Sequence, residues 1–429
     1  MSNSVSSKIN IWLQNTNGVY FTLYATAAAF CTYSCMYAFR KPFTAASYDD
    51  YGDMLGLKFK SIAVISQILG YALSKFIGIK VVSELGKNNR AKSILILIAL
   101  AEIALLGFAV VPLKFKMVML FCNGLPLGII WGMVFSFLEG RRFTEAMGAG
   151  LCASFALASG FAKSIGIWLI NSGVPEIWMP FTTGLIFALP LIFFTWMLSN
   201  LPEPSEADEA ARTKRQPMNR AERIAFFKTF SGGLILLILV YVLLTAFRSF
   251  REDFMREILT VLGYGKEPEI FSLTEIPVTI GVLVLLGLLM FIKSNIRALQ
   301  INHLVIAFGC ATAGISTLLY QAALVGPLTW IMLTGFGTYT AYIPFNCLLF
   351  ERLIASFKYV SNAGFLIYVA DSFGYLGSVI VLIYKDFGHP ELSWLKFFMN
   401  SSLALGLIGT LLVLISMLYF GKKFRGWKV

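Results

Sequence analysis

Tyr33-Ser34-Cys35-Met36-Tyr37-Ala38-Phe39-Arg40-Lys41-Pro42-Phe43 is the stretch on which the reading of this 429-residue chain turns. An apolar run from Val19 to Phe39 leads directly into two adjacent cations, Arg40 and Lys41. A second apolar run, Leu234 to Phe247, ends in the same way, in Thr245-Ala246-Phe247-Arg248-Ser249-Phe250-Arg251. Ala38-Phe39-Arg40 and Ala246-Phe247-Arg248 lie 208 positions apart, so each half of the chain has its own copy. Arginine at membrane depth is costly and is retained where it faces a cavity or a partner. Two such arginines in repeat-related positions predict one central site, with a cation supplied by each half.

The membrane itself follows from composition. Hydrophobic residues make up 57% of the chain and charged residues only 14%. A helix needs about 20 apolar residues to cross the hydrocarbon core. Twelve segments meet or approach that length, at roughly 19–43, 61–82, 93–112, 116–138, 147–170, 177–199, 231–250, 270–292, 300–323, 327–350, 359–384 and 395–420. The expected fold is therefore all-α, a polytopic membrane protein with twelve transmembrane helices.

Residues 200–230 break the pattern with Pro202, Pro204, Pro217 and a mixed run of charges. They read as a linker between an N-terminal six-helix bundle (1–199) and a C-terminal one (231–429). Within the linker, 220–228 reads as an amphipathic helix on the membrane surface. The apolar run that opens the chain is too long for a cleavable signal. The net charge of +12 is accounted for by Lys and Arg concentrated on the side of both termini, which predicts that both termini are cytoplasmic. That bias removes the need for a nucleic-acid partner. The six cysteines form no CxxC pair and read as small buried hydrophobes.

Six plus six helices around a charged central loop resemble the major facilitator superfamily, whose halves are related by a pseudo-twofold axis and rock about a midplane site. Within it, Tyr37-Ala38-Phe39-Arg40-Lys41-Pro42-Phe43 resembles the Tyr-x-x-Arg-Lys-x-Phe end of helix one in the organophosphate:phosphate antiporters. These include the glycerol-3-phosphate and hexose-phosphate transporters. Gly70-Tyr71-Ala72-Leu73-Ser74-Lys75-Phe76 is similar to that group's helix-two motif, and Arg248 falls where it has its second phosphate-binding arginine. Asp253-Phe254, Glu275 and the glycine-rich Phe373-Gly374-Tyr375-Leu376-Gly377 extend the resemblance. Two departures mark a divergent branch. The helix-five histidine of the glycerol-phosphate transporters has no counterpart, and Lys163 is expected to take its place. The loop between helices two and three, Ser83-Glu84-Leu85-Gly86-Lys87, is a degenerate form of the superfamily's charged motif.

At about 1.5 Å per helical residue, Lys75, Lys163 and Arg248 come out near mid-depth. The same arithmetic from Val19 carries Arg40 roughly 31 Å, to the outer interface. The resemblance instead puts Arg40 at the site, with helix one continuing past Pro42 through a kink. Lys41 cannot share a helical face with Arg40, so one faces the cavity and the other pairs with an acid. Glu102, Glu275 and Asp371 are the acids in apolar surroundings. They read either as structural counter-ions or as proton carriers, since a desolvated carboxylate can titrate near neutral pH. Four cations against three acids select an anion, and guanidinium groups match phosphate, phosphonate or carboxylate through bidentate bonds. Tyr33, Tyr37, Tyr339, Tyr342, Asn346 and Tyr375 are candidates for contacts to the rest of a solute, each equally open to a packing role.

Two histidines and no P-loop leave no basis for His-based catalysis, a zinc site or ATP hydrolysis. The expected protein is a secondary transporter of a small organic anion bearing phosphate or phosphonate. It would act as a monomer in a bacterial inner membrane, without cofactor or metal, and would not be an enzyme. A transporter-like anion sensor and an exporter of amphipathic compounds are the alternative readings.

Overall fold

The structure is a computed structural model. It describes all residues except 1, 55, 85–88, 142, 205–207, 209–219, 266, 360–362, 390 and 428–429. Residues 205–207 and 209–219 of the expected linker therefore lie outside the described residues. The chain begins with a short helix, α1 (Ser2–Asn15), which the apolar pattern does not announce. Six passages follow: α2 (Gly18–Ala38), α3 (Phe59–Glu84), α4 (Arg90–Val110), α5 with α6 (Leu113–Leu127 and Ile130–Leu138), α7 (Thr144–Asn171) and α8 (Met179–Ser199). The other six are α9 (Arg220–Val261), α10 (Pro268–Leu289), α11 (Asn295–Gln321), α12 with α13 (Pro327–Cys347 and Leu349–Phe357), α14 (Ala363–Ile383) and α15 with α16 (Trp394–Ala404 and Thr410–Arg425). Each of the twelve expected segments thus contains a helix. A hairpin of two-residue strands, Asp53–Met54 and Leu57–Lys58, is the one sheet among the described residues.

Ten passages are long and apolar enough on their own to cross a membrane. The other two are α2 and α12. Both are rich in Thr and Tyr, and both turn buried polar groups such as Thr32, Tyr37, Thr338 and Tyr342 inward. Their lower apolarity reflects where they sit, next to the central site.

Between the halves, α7 packs on α10 and α3 packs on α14. These are passages five with eight and two with eleven. Advancing each number by six exchanges the two pairs, as a twofold relating the halves requires. Small residues allow close approach: a Cβ on Gly160 of α7 would sit 2.4 Å from the Phe271 carbonyl oxygen of α10. Within the first half, a Cβ on Gly124 of α5 would sit 2.2 Å from the Gln67 carbonyl oxygen of α3.

Four expectations need correction. Helix one does not continue past Pro42: α2 stops at Ala38, and Pro42–Ala45 is a 3-10 turn. Proline supplies no N–H for a continued ladder, and Lys41 before it, at φ −98° and ψ −21°, leads into the 3-10 turn instead. Residues 220–228 do not form a separate surface helix. They are the first turns of α9, whose Phe226 packs edge-on against Tyr359 and whose Phe230 packs at a tilt against Phe357. Nor does the seventh passage end near 250. It runs to Val261, with a local break at Phe254 where that ring stacks on Trp394 at 4.0 Å. Finally, Cys122 is exposed on α5 and Cys31 is half-buried, so burial holds for only four of the six cysteines.

Candidate functional site

The end of α2 decides where the first arginine goes. A helix that stops inside a membrane leaves carbonyl groups with no water to accept from. Two buried amides fill the gap. Asn123 Nδ2 donates to the Phe39 oxygen at 3.0 Å, and Gln67 Nε2 donates to the Arg40 oxygen at 2.9 Å. Gln67 also donates to Asn123 Oδ1 at 2.7 Å, so α2, α3 and α5 are tied at one point. The Arg40 side chain then reaches across to α3. Its guanidinium lies 3.7 Å from the ring centroid of Tyr71, halfway along that helix, and 5.6 Å from that of Tyr375 on α14. Arg40 is only 2% exposed, and its Nε and Nη1 have no hydrogen-bond partner. Counting residues from Val19 therefore misplaces it. The helix ends early, and the long side chain covers the remaining distance.

Arg248 on α9 approaches the same place from the other half. Its Nη2 donates to the Tyr375 hydroxyl at 3.1 Å, and its guanidinium sits 4.3 Å from the Tyr342 centroid. Nη1 lies 3.6 Å from Glu252 Oε1, too long for a hydrogen bond, and Nε has no partner. Tyr375 thus stands between the two arginines. Beside them is a small cavity whose water-accessible volume is about 10 Å³. Tyr33, Tyr37, Tyr71, Tyr342, Tyr375 and Phe155 wall it, and Lys75, Trp131, Arg248, Asn346 and Asp371 complete the lining. Lys75 Nζ is 2.8 Å from Asp371 Oδ2, and the Tyr241 hydroxyl bonds to the other oxygen of the same carboxylate.

A second layer lies toward the end where α2 stops. Lys41 Nζ is 2.6 Å from Asp253 and 3.1 Å from Glu252, so this is the cation of the pair that meets an acid. Lys163 Nζ donates to the Glu252 main-chain oxygen, and the Tyr339 hydroxyl donates to Glu252 Oε1 at 3.0 Å. Arg251 Nη1 bonds Glu275 at 2.6 Å. Further out, Lys60 meets Glu257 at 2.5 Å and Arg256 meets Glu176 at 3.6 Å. All these contacts but Tyr339–Glu252 and Arg251–Glu275 cross between the halves. At the opposite end Arg352 bonds Glu145 at 2.7 Å and Asn295 at 2.8 Å.

The expected site residues therefore divide. Arg248, Lys75 and Tyr37 line the cavity, with Tyr33, Tyr342, Asn346 and Tyr375 among the candidate contacts, and Arg40 sits behind its Tyr71 and Tyr375 walls without lining it. Lys41, Lys163 and Tyr339 belong to the second layer, and Lys163 does not line the cavity. Glu275 and Asp371 pair with cations. Glu102 does not: on α4 it faces Gly184 of α8, and neither carboxylate oxygen has a partner. Its expected role as a counter-ion is incorrect: the buried cations Lys41, Lys75, Arg248 and Arg251 meet Glu252, Asp253, Glu275 and Asp371 instead.

Arg251, Glu252 and Asp253 join the cluster because α9 continues past 250. The tally of buried charge becomes Arg40, Lys41, Lys75, Lys163, Arg248 and Arg251 against Glu252, Asp253, Glu275 and Asp371. Positive charge remains in excess. The sequence reading missed Glu252, Gln67, Asn123 and Trp131. Lone amides inside apolar segments were the available signal for Gln67 and Asn123. Glu252 was hidden by a helix boundary placed too early.

Residues 42–423 match the model of a family described as "Family of unknown function (DUF5690)". No curated protein matches the chain's sequence. Among solved structures, a D-xylose-proton symporter superposes with a TM-score of 0.63 at 13% identity, covering 94% of this chain and 97% of its own. A bacterial homologue of the human drug peptide transporters PepT1 and PepT2 gives 0.60 at 13%, covering 94% and 99%. The nucleoside transporter NupG, as its D323A mutant, gives 0.55 at 13%, covering 93% and 99%. These likenesses establish the major facilitator fold.

Proposed function

The chain belongs to DUF5690, a family of unknown function, and on the major facilitator fold that it adopts we propose that it is a secondary transporter of a small phosphate- or phosphonate-bearing anion. The observation that carries this reading is Arg40. A guanidinium that is 2% exposed, with two nitrogens unbonded and, among the described residues, no carboxylate within ion-pair distance, is an incomplete site. Buried cations are otherwise paired. An anion entering beside Tyr375 meets Arg40 from one half and Arg248 from the other, and both present forks suited to tetrahedral oxyanions. The resemblance of the 37–43 and 70–76 stretches to the organophosphate:phosphate antiporters supports the same class.

In this reading, residues 1–199 and 231–429 form the two rocking bodies, joined through 200–230. The contacts of Lys41, Lys60, Lys163 and Arg256 close one end of the path in the arrangement described. Binding pulls Arg40 and Arg248 toward one ligand, and rocking exchanges the closed end for the other. Exchange against phosphate or coupling to protons supplies the drive.

Flux of inorganic phosphate into proteoliposomes preloaded with phosphate tests the proposal. Arg40→Lys and Arg248→Lys keep the charge and lose the planar fork. Each is expected to cut flux at least tenfold at equal protein abundance. Wild-type flux in both variants would remove the arginine clamp.

A further inference from the structure

The cations at the cavity rest on aromatic faces, and the surroundings of Lys75 are the most complete. Its Nζ lies 5.4 Å from the centroid of Tyr71, 5.7 Å from Trp131 and 5.7 Å from Tyr368. Asp371 Oδ2 closes the fourth side at 2.8 Å. Aromatic faces arranged around one cationic centre are how proteins recognise ammonium ligands. Here the chain's own ammonium fills the cage. The walls keep unused capacity: Trp131 Nε1 and Tyr368 Oη are buried without a hydrogen-bond partner. Lysine is a point charge on a flexible stem, so it can leave such a cage where a planar guanidinium would be held.

Charge points the same way. Lys75 and Arg248 line the cavity with Arg40 behind its Tyr71 wall, and Asp371 and Glu252 are the acids within 4 Å of Lys75 and Arg248. The excess is one positive charge. A phosphate monoester carries about −1.5 to −2 at neutral pH. With one ammonium group attached, its net charge becomes about −0.5 to −1, which offsets most or all of that excess.

We propose, resting on the anion-carrier reading above, that the solute is a zwitterion: a phosphate monoester or phosphonate that also bears an ammonium group. The anionic end lies between Arg40 and Arg248. The ammonium enters the Tyr71–Trp131–Tyr368 cage against Asp371, and the displaced Lys75 turns toward the anionic group.

Calorimetric titration of the purified full chain with 2-aminoethylphosphonate and with ethylphosphonate tests this, because the two differ only in the ammonium group. The amino compound is expected to bind at least tenfold more tightly. Asp371→Asn and, separately, Trp131→Leu are expected to bring that ratio toward one. Equal or weaker binding of the amino compound by the wild type overturns the zwitterion and leaves the anion reading standing. A tenfold preference that survives in both variants moves the ammonium elsewhere and likewise overturns the cage. Failure of both compounds to bind removes the anion reading and this proposal together. Should Asp371→Asn fail to fold, the wild-type ratio and Trp131→Leu still decide.

Discussion

Asp253→Asn isolates one buried ion pair between the halves. In the arrangement described, Asp253 holds Lys41 at 2.6 Å, and both side chains are almost wholly buried. Breaking a buried pair outright costs about 3–5 kcal/mol. The amide does less harm here, because Glu252 stays 3.1 Å from Lys41 and retains part of its charge compensation. The loss is then closer to that of one hydrogen bond between charged groups, about 1.5–3 kcal/mol. It falls on the closed arrangement alone, since Lys41 and Asp253 belong to different bodies that separate when this end opens. At about 1.4 kcal/mol per factor of ten, the open fraction rises roughly 10- to 150-fold. Tyr37→Cys in a host lacking the native cysteines reports the opening. Tyr37 lines the cavity one turn before Lys41, so a membrane-impermeant maleimide reaches it only through an open end. The labelling rate is expected to rise by that factor in Asp253→Asn. An unchanged rate at equal abundance would show that the Lys41–Asp253 bond does not hold this end shut.

The acids separate by stability. Glu275→Gln strands the buried Arg251 and is expected to lower the unfolding midpoint markedly, at a cost of about 3–5 kcal/mol. Glu102→Gln removes no partner and is expected to be neutral or stabilising; equal midpoints for the two variants would refute the contrast. The position of Arg40 can be tested by substitution: Arg40→Cys and Arg248→Cys are expected to label only when one end is open, and saturating phosphate should protect both. Constant labelling at 40, with protection at 248, would return Arg40 to the surface.

Periodicity made the twelve passages legible because a membrane helix declares itself by length and apolarity. The Ala-Phe-Arg repeat and the paired cations were legible for the opposite reason, since charge in an apolar run stands out. Helix ends were not. Arg251, Glu252 and Asp253 look like the start of a polar loop, and only tertiary burial shows that α9 carries them inward. Arg40 seemed too far along its helix because residue counting ignores both an early stop at Ala38 and the reach of an arginine side chain. The stop is possible because Gln67 and Asn123, from two other helices, accept the burden of the freed carbonyls. Pairing was also beyond sequence. Glu102 and Glu275 look alike in apolar runs, yet one faces a glycine and the other an arginine.

Ligand-induced stabilisation of the purified protein tests the central claim most directly. A solute that binds only the folded state adds about 2.7 kcal/mol at a hundred times its dissociation constant, which raises the unfolding temperature. Inorganic phosphate and ethylphosphonate are expected to raise the midpoint of the wild type in a saturable way. The shift is expected to shrink in Arg40→Lys and Arg248→Lys, and matched concentrations of a neutral sugar should give none. No saturable shift with either anion, or equal shifts in the wild type and both variants, would contradict an anion site between the two arginines.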